Sequence, residues 1–262
     1  MNLIPQVLSN VSLMDKAMKV VTQYQSLLIK GAINTVIVAL IGTIVGLVIG
    51  LVIGAIRFVS LTHDRKDSKV SVIFKKILYF LTSCYVEIFR GTPMMVQAMF
   101  LYWSLKQTLN WTPYFAAICI ISINTGAYMA EIVRSGIQSV DKGQNEGARS
   151  IGMTDMQAMF YVILPQAIKN AFPSIGNEFV VNIKDSCVLN CIGFAELFFQ
   201  AKSIQGSVFD YTGPFLVVGV MYFVLTFTTT RILGVVEEKM NHTRSSIPAS
   251  DTTANSIQRG GF

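Results

Sequence analysis

The chain has 262 residues, 52% hydrophobic and only 14% charged, with a net charge of +6 and a mean hydropathy of +0.52. Its length would suit one or two soluble domains, but this composition points to a membrane. The positive charge sits in segments that flank apolar runs, where anionic headgroups and topology account for it, so it does not argue for nucleic acid.

A helical span needs about 20 predominantly apolar residues. Residues 1–30, with Lys16, Lys19 and Lys30, lack the basic start and short apolar run of a cleavable signal. They are expected to form an amphipathic extracytoplasmic approach. Residues 31–56 carry no charge and give the first span. Glycines 42, 46, 50 and 54 form a ridge on one face of it, which lets another helix approach closely, within the subunit or across a dimer. Residues 57–76 hold six basic and two acidic residues, the mark of a cytoplasmic loop.

A second, interrupted span is expected between Ile77 and Leu105, broken by Glu87 and Arg90. The stretch Arg90-Gly91-Thr92-Pro93 reads either as a gating element or as an ordinary helix start with Pro in the first turn, Glu87 neutralising Arg90. Residues 107–130 give the third span.

Residues 135–165 are too long and too patterned for a simple turn. On a helix, Ala148, Ile151, Met156, Met159, Phe160 and Ile163 cover one side, with Glu146, Arg149 and Asp155 elsewhere. Gly152 is expected to bend the element into two short helices, and Pro165 to end it. The fourth span follows, with Glu178, Lys184 and Asp185 inside it; charges in a span usually face a bundle interior or an aqueous path. Glu178 and Asn182, four apart on a helix, could face a substrate together or satisfy each other. Lys184 and Asp185 are adjacent, so each needs its own partner. Met94, Met95, Met99 and Met129 read as gap fillers rather than path residues. Residues 193–210 should form an amphipathic outer helix, residues 213–230 the fifth span, and residues 241–262 a disordered polar tail.

Five spans with the N-terminus outside and the C-terminus inside put fourteen Lys and Arg in cytoplasmic segments against five outside. Cys84, Cys119, Cys187 and Cys191 lie in or near spans and, with no histidine beside them, read as packing residues. There is no GxxxxGK[ST], HExxH or GxSxG motif, so the chain is not expected to hydrolyse anything.

The run from Glu146-Gly147-Ala148 through Gly152 to Val162-Ile163-Leu164-Pro165 resembles the EAA loop of permease subunits of bacterial ATP-binding cassette importers, with Gly147 and Val162 departing from the usual Ala and Ile. The stretches EIFRGTPMMVQAMFLYW (87–103), YMAEIVRSGIQSVDKGQNEGARSIG (128–152) and SIGNEFVVNIKDSCVLNCIG (174–193) resemble the polar amino acid branch, the histidine, glutamine and arginine permeases. The likeness spans roughly residues 25–240. It implies an all-α membrane protein of five helices with the type I, MetI-like importer fold. It also implies a coupling role for Glu146, Gly147, Ala148, Arg149, Gly152, Leu164 and Pro165, which would meet the ATPase. A path of Glu178, Asn182, Lys184 and Asp185 and a gate of Arg90, Gly91, Thr92 and Pro93 complete the expectation. The implied partners are two ATPase subunits that bind ATP-Mg, a second permease subunit, identical or related, an extracytoplasmic binding protein, and a polar amino acid; residues 193–210 would either dock the binding protein or only cap the bundle. This chain itself would carry no cofactor. A proton- or sodium-coupled carrier using Glu178 or Asp185 is the competing reading; the absence of a repeat argues against it. A non-transporting membrane scaffold is a second rival, disfavoured by the buried charges.

Overall fold

A computed structural model describes residues 12–61 and 68–242, all helical apart from short connections. The tail beyond 242, the first eleven residues and the middle of the basic loop, 62–67, lie outside the described residues.

Helix α1 (Leu13–Leu61) bends at Tyr24, whose φ of −119° and ψ of 19° leave the helical region. Helix α2 (Lys69–Gly91) starts at Ser68, whose hydroxyl accepts from the Ser71 N–H. Helix α3 (Met94–Leu109) follows at once, so the expected single second span is two helices. The interruption falls at Thr92-Pro93 rather than at the charges: Pro93 has no N–H to continue the ladder and forces Thr92 into an extended conformation.

Helix α4 covers Pro113–Gln138, shifted from the expected 107–130. Asn110 turns left-handed to end α3, and Thr112 caps α4 by accepting from the Phe115 N–H. At the other end the helix runs past Glu131 because that carboxylate finds partners. Helices α5 (Lys142–Ser150) and α6 (Asp155–Ala158) lead into a π turn (Met159–Ile163) and α7 (Leu164–Asp185). Pro165 is therefore not a stop. In the π turn the Leu164 N–H reaches back five residues to the Met159 carbonyl, and the proline is accommodated in the first turn of α7. A 3₁₀ turn (Ser186–Ile192), α8 (Leu197–Val208) and α9 (Thr212–His242) complete the chain.

By length and composition α1, α4 and α9 can each cross a membrane, and the α6–α7 run together with α8 passes as a pair bent by 53°. The core is the seam between α1 and α4. A Cβ added at Gly42, Gly46 or Gly50 would lie 2.7, 2.7 and 2.6 Å from atoms of Ile121, Thr125 and Met129, and one at Gly54 3.0 Å from Val133. Both sets advance by four, so the helices run parallel and the ridge packs within this subunit. Asn182 of α7 joins the seam, donating to Thr43 Oγ1 (2.9 Å) and accepting from Thr125 Oγ1 (3.0 Å).

At the far end of the bundle, buried Glu196 caps α8. It accepts from the Phe198 and Phe199 N–H groups and from the Tyr222 hydroxyl of α9, each at 2.7 Å. Helix α8 thus lies against α1 and α9, with Gly31 packed closely on Leu197 and Gln200.

Candidate coupling element and charged path

Helix α5 begins at Asp141, which accepts from the Gly143 N–H at 2.7 Å. It ends in a turn that only glycine enters easily: Gly152 has φ +90°, its N–H bonds the Arg149 carbonyl, and the Met153 N–H bonds the Ala148 carbonyl. Thr154 and Gln157 then form a reciprocal capping box, and Arg149 pairs with Asp155 across the turn.

The element is bonded to α7, and α7 in turn packs on the end of α4. Gln166 donates to Gln144 at 3.1 Å, Asn170 donates to Ser139 at 2.9 Å, and a Cβ at Gly136 would come 2.6 Å from the Ala167 carbonyl. Of the coupling residues expected from the sequence, Ala148 is buried, Leu164 is half-buried, and Glu146, Gly147, Arg149, Gly152 and Pro165 are exposed. The predicted single apolar face does not form. The Gly152 turn rotates the second half, so Ala148, Met159 and Ile163 are buried, Met156 and Phe160 line an apolar cavity with Met159 and Leu164 against Leu51 and Val133, and Ile151, at 76% exposure, stands outside it. Gly147 has open space where a Cβ would stand, so its departure from alanine has no steric cause within this chain.

Arg90, Gly91 and Thr92 are exposed at the end of α2, with Pro93 beside them. The carboxylate near Arg90 is Glu131 of α4, at 4.0 Å, and not Glu87, which one of the two readings of this stretch offers. The side chain of Glu87 points out instead. Glu131 also binds Arg57 of α1 and Arg134 of its own helix, each at 2.8 Å, and the Arg90 guanidinium lies 5.5 Å from the centre of the Tyr128 ring. One carboxylate therefore gathers charges from three helices. The sequence alone hides this hub because the uncharged run of the third span ends at Ala130, one residue before Glu131; the spacing of Glu131 and Arg134, three apart on a helix, is its one local signal.

The expected path residues separate. Asn182 is 3% exposed with its amide committed to Thr43 and Thr125, so it does not present itself beside Glu178. Glu178 is half-buried and makes no hydrogen bond among the described residues, while it senses the charges of Asp185 and Arg90. Lys184 and Asp185 are exposed at the end of α7 and form no ion pair among the described residues. Cys187 and Cys191 are half-buried free thiols in the 3₁₀ turn.

Residues 70–242 match the family described as "binding-protein-dependent transport system inner membrane component". The chain belongs to that family. It is the membrane permease subunit of an ABC importer, and the ion-coupled carrier finds no support. This permease is 35% identical over 163 residues to the arginine transport system permease protein ArtQ of Bacillus subtilis (strain 168), covering 62% of this chain and 74% of that one. It is 38% identical to a chain in the crystal structure of an amino acid ABC transporter with histidines, with a TM-score of 0.74 over 88% of this chain and 99% of that one. The MetNI methionine ABC transporter, in inward-facing conformations, shares the fold at 20% identity, with a TM-score of 0.68 over 82% of this chain and 96% of that one.

Proposed function

We propose that the permease carries a polar amino acid across a bacterial cytoplasmic membrane, with α5 and the C-terminus inside and the N-terminus outside. Two permease subunits, identical or related, enclose the path. Two ATPase subunits, the only sites of ATP-Mg binding and hydrolysis, seat on the α5 elements, and an extracytoplasmic binding protein delivers substrate to the end bearing α8. The observation that carries this reading is the mounting of α5. An exposed Glu146 and Ile151 are held by a turn locked at Gly152; α5 is bonded to α7 through Gln144–Gln166, and α7 is bonded to the end of α4, from which α5 continues, through Asn170–Ser139. A force on α5 therefore reaches both spans rather than dissipating in a loop.

In this scheme the exposed Glu146, Gly147, Arg149 and Gly152 form the ATPase contact while buried Ala148 faces inward, and Leu164 and Pro165 with the π turn transmit its motion to α7. Glu178, with Lys184 and Asp185 beyond it, lines the path. Its carboxylate, without a hydrogen-bond partner among the described residues, suits a substrate ammonium, and Arg90, whose charge acts on Glu178, suits the carboxylate end of the same zwitterion. The segment Arg90-Gly91-Thr92-Pro93 gates that path.

Co-purification from native membrane in mild detergent, comparing wild type with Glu146→Arg, tests the scheme when followed by an ATPase assay. An ATPase that accompanies the wild type and is lost or uncoupled in the variant supports it. A wild type that brings no ATPase and takes up substrate along a proton or sodium gradient overturns it.

A further inference from the structure

The break between α2 and α3 is held by a buried amide pair that none of the roles above uses. Where α2 stops, its last carbonyls lose their helical donors. Gln97, one turn into α3, supplies them: its Nε2 lies 3.0 Å from the Phe89 carbonyl, 3.0 Å from the Thr92 carbonyl and 2.8 Å from Thr92 Oγ1. The Thr92 hydroxyl spends its own proton on the Ile88 carbonyl at 2.8 Å, so it receives from Gln97. Gln97 is oriented in turn by Asn124 of α4, whose Nδ2 donates to Gln97 Oε1 at 2.8 Å and to the Phe89 carbonyl at 3.3 Å. Both amides are buried, whereas Gly91, between them and Arg90 in sequence, has open space around it.

Helix α4 therefore grips the α2–α3 joint twice. Asn124 and Gln97 hold its backbone, and Glu131, farther along the same helix, holds the guanidinium of Arg90. Two donor hydrogens of Gln97 serve three acceptors, so the clasp can shift between them without leaving a buried donor unpaired. An apolar side chain would fill the same space but specify no angle between the two helices.

We propose that Gln97, oriented by Asn124, is the positioning residue that sets the α2–α3 break and makes Arg90 move with α4. This rests on the gating role of residues 90–93 given above. The test uses Gly91→Cys, at a position where an added Cβ meets nothing within 4 Å among the described residues, in a chain whose four native cysteines are replaced by serine. The complete importer in liposomes is labelled with a membrane-impermeant maleimide, without nucleotide and after vanadate trapping with ATP. With Gln97 intact, the labelling rate should differ about 5-fold or more between the two states, and Gln97→Met or Asn124→Ala should bring the ratio below about 2-fold, the size of change expected when a two-state element loses its bias. A residue needed only for stability would lower yield and leave that ratio unchanged, which overturns the proposal. A flat ratio with Gln97 intact means that residues 90–93 do not move, and the gating reading fails first. If Gln97→Met does not assemble with the ATPase, Asn124→Ala decides by the same criterion; failure of both to assemble makes the amides folding elements and also overturns the positioning role.

Discussion

The α1–α4 seam and the α2–α3 joint solve the problem of holding helices together in lipid in opposite ways. The seam removes side chains: four glycines let two parallel backbones touch, and any added atom collides with Ile121, Thr125, Met129 or Val133. The joint adds side chains: two amides and a hydroxyl fill the break at the proline, and the Arg90 guanidinium beside it faces Glu131. Close van der Waals contact has one good register and does not slide. Hydrogen bonds shared among several acceptors have more than one arrangement of similar energy. The molecule thus pairs a fixed strut with an adjustable joint, and α4 belongs to both.

The comparison is broken most forcefully at the charge hub. Glu131→Gln leaves Arg57, whose side chain is 13% exposed, without its carboxylate. The loss should approach the low end of the roughly 3–5 kcal/mol that follows removal of one partner from a buried pair. Thermal unfolding in detergent measures it; a midpoint like that of the wild type would show that the hub is only loosely associated. The seam should respond next. Gly50→Val places atoms against the Met129 backbone and should cost about 1–3 kcal/mol, as overpacking does. Gly91→Ala, by contrast, should stay within about 0.5 kcal/mol of wild type in stability, because among the described residues an added Cβ meets nothing within 4 Å. A strong effect of Gly91→Ala on uptake with no effect on stability would mark position 91 as a contact with substrate or with the second permease.

The fixed part of the fold was the legible part. The glycine period in α1 predicts a close helix approach, the left-handed turn at Gly152 follows from a glycine inside a helical pattern, and the uncharged runs predict α1, α4 and α9. What escaped were features whose cause lies in a different helix. Glu131 reads as the end of a span until Arg57 and Arg90 arrive from elsewhere in the chain. Gln97 and Asn124, 27 residues apart, have no local reason to meet. Pro165 reads as a terminator because helix rules assume α geometry, and the π turn before it supplies a different one. Asn182 shares a helix face with Glu178 in sequence, yet α1 and α4 claim its amide.

That last separation sharpens the comparison between strut and path. Asn182→Leu removes its hydrogen bonds to Thr43 and Thr125. Interhelical bonds in membranes average about 0.6 kcal/mol each, so the loss should be near 1 kcal/mol. Because Asn182 belongs to the strut, the uptake KM should stay unchanged. Glu178→Gln should do the reverse, raising KM while leaving the unfolding midpoint within a degree or two, since no hydrogen bond is lost. A raised KM in Asn182→Leu with wild-type stability would return that residue to the path.

A small, pH-dependent effect tests whether the end bearing α8 behaves as a third, merely superficial, kind of contact. Asp210 lies between α8 and α9 and binds Lys16 of α1 at 3.1 Å. Burial alone would push its carboxyl up, but the Gly213 N–H, the Lys16 ammonium and the Thr212 hydroxyl outweigh that and hold it below its ordinary value. A carboxylate lowered in the folded state stabilises the fold at every pH above its unfolded value near 4, and the contribution disappears as the pH falls from there through the folded value. Lys16→Met should therefore cost about 0.2–1 kcal/mol at pH 7, as partly exposed pairs do. The difference from wild type should shrink as unfolding is followed from about pH 5 toward pH 3. A gap that persists at the acid end would mean that the aliphatic stem of Lys16, packed beside Gly213, contributes more than its charge, and that this end too is held by contact rather than by an ion pair.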